Sequence, residues 1–384
     1  MKKLHTSGIR RSLEQTNIRL HDMRHHAREK NYEGMTEEEV TIAQYKAHRW
    51  SKLIFVFILL AVFIILAGAE LAVGDYDIDL WSVYSILIDH IFLGKPIETL
   101  EQTVVWEFRT PRVLTAIAVG IGLAMAGAGM QSMMKNPLAD PYTTGISSGA
   151  ALGATLAMTL GFTLISGTYG TIINAFVFAL IPSLFIIALS KYRKPSPAMI
   201  ILSGIALMYV FNAAQSYLML VADPNATSAV YAWTVGSIDG TDWGDMPFMW
   251  AVVILGAIIM MYLSRILNAM NSGDSYAKSL GINTDRTRVI ILLSVSILAA
   301  GIVSFTGIIG FVGLVAPHIA RILIGADNRI LIPLSALVGA CLMMVADLFI
   351  QAVLSFSMPV GLITSLIGGP IFMIMIIRQK NEVW

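Results

Sequence analysis

Charge is scarce in this chain of 384 residues: Asp, Glu, Lys and Arg make up 13% of it, against about a quarter in a soluble domain. So few charges cannot clothe a water-facing surface of this size. Cysteine is rarer still. The single Cys341 lies in an apolar run, which excludes an intramolecular disulfide and a cysteine-based zinc or iron–sulfur site. Five of the seven histidines fall before residue 50, and their spacing is not that of a metal site. No P-loop, no nucleotide-binding glycine loop after a strand and no triad pattern is present. The chain is therefore expected to be no enzyme, to bind no cofactor or metal of its own and no nucleic acid, and to rely on another subunit for any ATP it uses. The polar first 50 residues also lack an apolar signal-peptide core.

What is abundant is apolarity. Hydrophobic residues make up 56% and the mean hydropathy is +0.71. The expected class is an all-α polytopic protein of the cell membrane. Spans of about twenty apolar residues are read near 52–73, 112–134, 144–165, 169–190, 198–221, 246–267, 288–306, 308–324, 330–353 and 360–377. The eighth is short and begins with glycines. Residues 1–51 read as a cytoplasmic extension and 52–380 as a transmembrane domain. With the N-terminus inside, 23 of the 26 Lys and Arg fall on inside segments, leaving only Lys95, Arg109 and Arg112 outside. This asymmetry sets the orientation and places both termini in the cytoplasm. Ten spans divide into five plus five, and five being odd, a duplicated half must be inverted. Arg112-Val113-Leu114 and Arg288-Val289-Ile290 open corresponding spans.

Small residues recur every fourth position in the second and third spans: Gly120, Ala124 and Ala128 in one, Gly145, Gly149 and Gly153 in the other. Residues four apart share a helix face, and a smooth face lets helix backbones approach in lipid. The expectation is a helix pair built to pack, turning at Asn136–Pro141. Between spans six and seven lies the longest inside loop, 265–288, where Ser272-Gly273-Asp274 reads as a helix start and Leu280-Gly281 as a stop. It is either a plain connector or a set of short helices that receives force from a soluble partner. His318, after Pro317, is a candidate proton relay or ligand, or a residue hydrogen-bonded across helices. Asp347 is the clearest ionisable residue inside a span and is expected to face protein or a water-filled cavity. Arg109 and Arg112 either anchor a helix end at the headgroups or meet acidic residues of a docking protein. Residues 222–245, with Trp233 and Trp243, read as an interfacial helix over the outside mouth.

Several runs together resemble the FecCD-type permeases, the membrane subunits of ABC importers for iron–siderophores, haem and cobalamin. They are Arg109-Thr-Pro-Arg112, Asn136-Pro137-Leu138-Ala139-Asp140-Pro141, Gly145-Ile-Ser-Ser-Gly149, Ala232-Trp233-Thr-Val-Gly236, Ala277-Lys-Ser-Leu280-Gly281, the run from Gly307 to His318, Ala346-Asp347 and Gly368-Gly369-Pro370. The resemblance covers roughly residues 53–378. It implies a pair of ten-span subunits, a homodimer, working with two cytosolic ATPase subunits and an extracytoplasmic substrate-binding protein. It implies that 273–283, with Ser272, Gly273, Ala277, Leu280 and Gly281, couples to the ATPase, and that Arg109 and Arg112 meet the binding protein. Where the cobalamin importer has a third basic docking residue, this chain has Gln351. The expected function is ATP-driven import of a metal chelate, with ferric siderophore first and cobalamin or haem next. A stand-alone transporter using Asp347 or His318 for protons is the competing class.

Overall fold

A computed structural model describes residues 37–74, 76, 78–353 and 358–378. The chain divides into residues 1–56 and 57–384. Most of the 1–51 extension, including His21, His25 and His26, lies outside the described residues. Every regular element among the described residues is helical. They are α1 (Glu37–Ala72), α2 (Leu80–Leu93), α3 (Leu100–Met134), α4 (Ile146–Leu160), α5 (Gly170–Leu189), α6 (Pro197–Val221), α7 (Pro224–Val235), α8 (Met246–Asn271), α9 (Asp274–Ser279), α10 (Thr284–Thr306), α11 (Val312–Ile324), α12 (Asn328–Val353) and α13 (Val360–Arg378).

Each of the ten expected spans falls on one of these helices. Among the described residues seven helices are long and apolar enough to cross a membrane, with α4, α11 and α13 among the shorter apolar ones. At 13 residues, α11 rises only about 20 Å, short of a hydrocarbon core of about 30 Å. One apolar helix was not expected from the sequence. The α2 helix has 14 residues, too few for a span. It is delimited by polar and glycine signals: Asp79 accepts from the Trp81 and Ser82 amides, and Gly94 closes the helix at φ +62°.

The α3 helix is the centre of the 57–384 unit and is almost wholly buried from Pro111 onward. Its first turns are wound as a π-helix over Val104–Arg109. In this wider register the Trp106 carbonyl would accept from residue 111, but Pro111 has no N–H to donate. The indole Nε1 of Trp243 donates to that carbonyl instead, at 2.9 Å, and the two tryptophan rings stack at 4.5 Å.

The two small-residue stripes meet other helices rather than each other. A Cβ on Gly120 would strike the Gly339 carbonyl and the Ala340 backbone, and a Cβ on Gly339 would strike the Gly120 carbonyl and the Ala124 methyl. Here α3 and α12 touch backbone to backbone. Two turns beyond Gly120, a Cβ on Gly127 would strike the Gly313 carbonyl of α11. That carbonyl lacks its usual helical donor because residue 317 is proline. Ala128 is fully buried in the apolar cluster formed with α8 and α10 residues. The second stripe packs on α5: a Cβ on Gly149 would meet the Phe178 carbonyl and one on Gly153 the Asn174 carbonyl. Asn174 also bridges the α4–α5 connection, donating to the Phe162 carbonyl at 2.6 Å and accepting from the Leu164 amide at 2.8 Å. Gly145 sits at φ +89°, against the Gly204 carbonyl of α6.

These contacts predict that Gly127→Val lowers stability by at least about 1–3 kcal/mol, because the colliding atom is backbone and cannot rotate away. Gly310→Ala is the comparison, since its new methyl meets only the Ser365 hydroxyl at 3.3 Å. Thermal midpoints in detergent should fall for the first and stay near wild type for the second. Equal midpoints for all three proteins would remove the close approach as a constraint.

Candidate functional sites at the two ends of α3

At the Arg112 end a cavity of about 490 Å³ is lined by Tyr76, Glu107, Arg109, Arg112, Asp239 and Gln351, among others. Its floor is an ion cluster. Asp347 of α12 is fully buried and accepts from Arg112 Nε at 2.8 Å, Arg112 Nη2 at 2.7 Å and Gln351 Nε2 at 2.6 Å. The other side of the Arg112 guanidinium pairs with Asp239. Glu70 of α1, 1% exposed, adds a second buried carboxyl beside Asp347. The Asp347 charge is tolerated this deep because it is paired and hydrogen-bonded, whereas neither Glu70 carboxyl oxygen has a hydrogen-bond partner among the described residues. The planar guanidinium fork suits the role, binding one carboxylate through two donors while a third faces another.

Arg109 is placed differently. Its side chain is buried, and it donates to the carbonyls of Leu71 at 2.9 Å, of Ala72 at 2.8 Å and of Tyr76. These carbonyls lie at and beyond the end of α1, where four go without helical donors, and a cation there also suits the helix dipole. Arg109 therefore holds the cavity wall from within. The α7–α8 connection forms the opposite wall. It is fixed by Ser237 N–H to the Thr306 carbonyl at 2.8 Å, Gly361 N–H to the Gly236 carbonyl at 2.9 Å, and a Thr115–Thr241 hydroxyl pair at 2.8 Å.

At the other end, α9 is a six-residue helix between two glycines in left-handed territory, Gly273 at φ +122° and Gly281 at φ +80°. Ser272, Gly273, Ala277, Leu280 and Gly281 do come together here. Ala277 is fully buried, while Tyr276 and Leu280 are exposed. Asp274 pairs with Arg288 at 2.6 Å and Lys135 at 3.4 Å. Partial desolvation works against the charged form of its carboxyl, but these two cations outweigh it and hold the group below the ordinary aspartate range. Nearby, Asn268 donates to Asp327 at 2.7 Å and accepts from the Asn328 amide at 2.8 Å. The Asp327 carboxyl is held down to about 2, chiefly by Arg329.

Between the two ends, Gln131 bridges α3 and α11, donating to the Leu314 carbonyl and accepting from Arg321, each at 3.1 Å. His318 is buried within three residues of Arg321, and its Nδ1 has no hydrogen-bond partner among the described residues. Among those residues no group of three or more His, Cys, Asp or Glu could hold a metal ion. Sequence reasoning missed Glu70, Asp239 and Gln131. Glu70 carried a signal, as an acidic residue inside the first apolar span.

The helical unit thus carries a cavity at one end of α3 and a short exposed helix at the other, and comparison with known proteins assigns it to a class of membrane permeases. The model of the FecCD transport family matches residues 58–378, and the chain belongs to that family. It is 38% identical over 282 residues to the hemin transport system permease HmuU of Yersinia pestis, covering 72% of this chain and 84% of that protein. It is 37% identical over 273 residues to the cobalamin import permease BtuC of Halobacterium salinarum, covering 71% and 73%. A solved inward-facing structure, assigned to the metal-chelate type of ABC transporter, aligns with a TM-score of 0.75 and 30% identity over 85% of this chain and 99% of that one.

The cluster predicts that Arg112→Ala costs about 3–5 kcal/mol, since it strands Asp347 as a buried unpaired charge. The double variant Arg112→Gln with Asp347→Asn should recover a large part of that loss. Denaturation midpoints in detergent check both, and a double variant no better than Arg112→Ala would mean that charge pairing is not what the cluster provides.

Proposed function

We propose that this chain is the permease of an ATP-driven importer for a metal chelate, with a ferric siderophore as its substrate. The observation that supports this best is the family match along nearly the whole helical unit, joined to an exposed short helix, α9, braced against α3 and α10. In this reading ten spans form two inverted halves with both termini in the cytoplasm. Two copies assemble around a central route, and two cytosolic ATPase subunits act on α9. The substrate-binding protein docks at the cavity end. Arg112, at the cavity with its guanidinium shared between Asp347 and Asp239, is the docking arginine, and Arg109 shapes the surface beneath it. The chain supplies the route, and ATP is hydrolysed by the partner.

Haem or cobalamin import is the second reading, favoured by the two relatives named above. Both readings share bulky substrates, so choice would fall to the binding protein. Reconstituting the permease with its ATPase and binding protein in vesicles decides between them. ATP-dependent uptake of a ferric hydroxamate or catecholate is expected. Uptake of haem or cyanocobalamin without siderophore uptake would replace the substrate. Uptake by the permease alone, driven by a proton gradient, would sink the ABC mechanism.

A further inference from the structure

We propose that Asp274 is the positioning residue that locks α9 to α3 and α10, and that this lock sets how much substrate is moved per ATP. The inference rests on the reading of α9 as the ATPase contact.

One carboxylate joins three elements. Its Oδ2 accepts from Arg288 Nη2 at 2.6 Å, and its Oδ1 faces Lys135 Nζ at 3.4 Å. Arg288 belongs to the first turns of α10, is 7% exposed and also lies 3.8 Å from Asp285. Lys135 closes α3 in the left-handed region at φ +51°. A charge-assisted bond of this length is strong and directional. The second fixed point is Ala277, fully buried in the same apolar cluster as Met134, Met270 and Ile291. With α9 held at these two points, Ser275, Tyr276, Lys278 and Leu280 remain exposed.

The flanks of α9 are permissive by contrast. Positions 273 and 281 are glycines at positive φ, with open space where a Cβ would be. A push on the exposed face therefore has a soft path through the glycine flanks and a stiff one through the Asp274 carboxylate. The stiff path runs through the 2.6 Å bond to Arg288 of α10, with the 3.4 Å Lys135 contact beside it; α10 shares a buried apolar cluster with α3, and α3 touches α11 and α12 backbone to backbone. Moving the Lys135 end of α3 thus moves a block of helices. Without the carboxylate, α9 can pivot on Gly273 and Gly281 while the block stays still.

The test uses the complete transporter in vesicles, with uptake and ATP hydrolysis measured in parallel. Asp274→Asn keeps the shape and removes the charge. Uptake per ATP should fall about fivefold or more, while hydrolysis and complex assembly stay within about twofold. Asp274→Glu, which keeps the charge, should restore most of the yield. Cross-linking from Tyr276→Cys to the ATPase reports the α9 contact itself and should persist with or without Asp274→Asn. A retained cross-link with unchanged uptake per ATP overturns the lock alone. Parallel loss of uptake, hydrolysis and assembly, not restored by Asp274→Glu, also overturns it, since Asp274 would then serve only folding or docking. No cross-link with Asp274 intact overturns the α9 reading, and the lock falls with it.

Discussion

The distance at which other helices can approach α3 governs the 57–384 unit. In lipid, apolar side chains gain little by leaving the hydrocarbon for a protein interior, so association depends on close packing and on polar contacts. Gly120 and Gly339 remove the side chains that would hold α3 and α12 apart, and Gly127 does the same toward Gly313 of α11. The second of these contacts joins two chemical facts. Pro317 takes a donor away from the Gly313 carbonyl, and the missing Cβ of Gly127 lets another backbone fill the space beside it. Close packing makes α3, α11 and α12 behave as one body. Interiors packed to this density shift between arrangements more readily than they deform.

Polar groups act where packing cannot fix rotation or sliding. The Arg112–Asp347 pair ties α3 to α12 near one end, Ser132 bonds Asn328 of α12 at 2.6 Å near the other, and Gln131 ties α3 to α11 between them. A smooth face of small residues permits sliding by a whole turn, because the small residue four positions on resembles the last. Directional bonds forbid it, since a slip would leave Asp347 buried without its guanidinium. The glycines supply closeness and the polar bonds supply register. A buried ion pair of this kind adds little net stability against an apolar alternative, but it discriminates strongly against the shifted packing.

The parts legible in the sequence were those that depend on local pattern. Hydropathy located the helices, charge asymmetry suggested their orientation, and Ser272-Gly273-Asp274 with Leu280-Gly281 bracketed α9 to within a residue. The four-residue spacing of glycine and alanine marked faces built for close contact but could not name the partner. Gly149 and Gly153 pack on α5 and Gly120 on α12, not on one another, because spacing describes one helix and contact requires two. Arg109 and Arg112 looked alike as outside cations. Three residues apart, one turns to the carbonyls at and beyond the end of α1 and the other to a carboxylate 235 residues away. Charge is a property of the residue, while the acceptor it meets is a property of the fold. The α2 helix escaped notice because 14 residues are too few for a span.

The two charged assemblies sit at opposite ends of the same helix and differ in kind. The Arg112 cluster is buried on its acceptor side: Asp347 is fully buried and Glu70 nearly so, while Arg112 and its second partner Asp239 face the cavity. Screening by salt reaches the buried Asp347 side weakly. The Asp274 assembly lies nearer the surface, with a carboxylate 37% exposed that bridges a lysine 34% exposed and a buried arginine. Exposed pairs gain less and are made and broken at lower cost. In the proposed cycle the Asp274 bridge passes the push from α9 to α10 and α3, while the Arg112 cluster keeps the far end of α3 in register. The tight glycine contacts join α3 to α11 and α12 between the two ends.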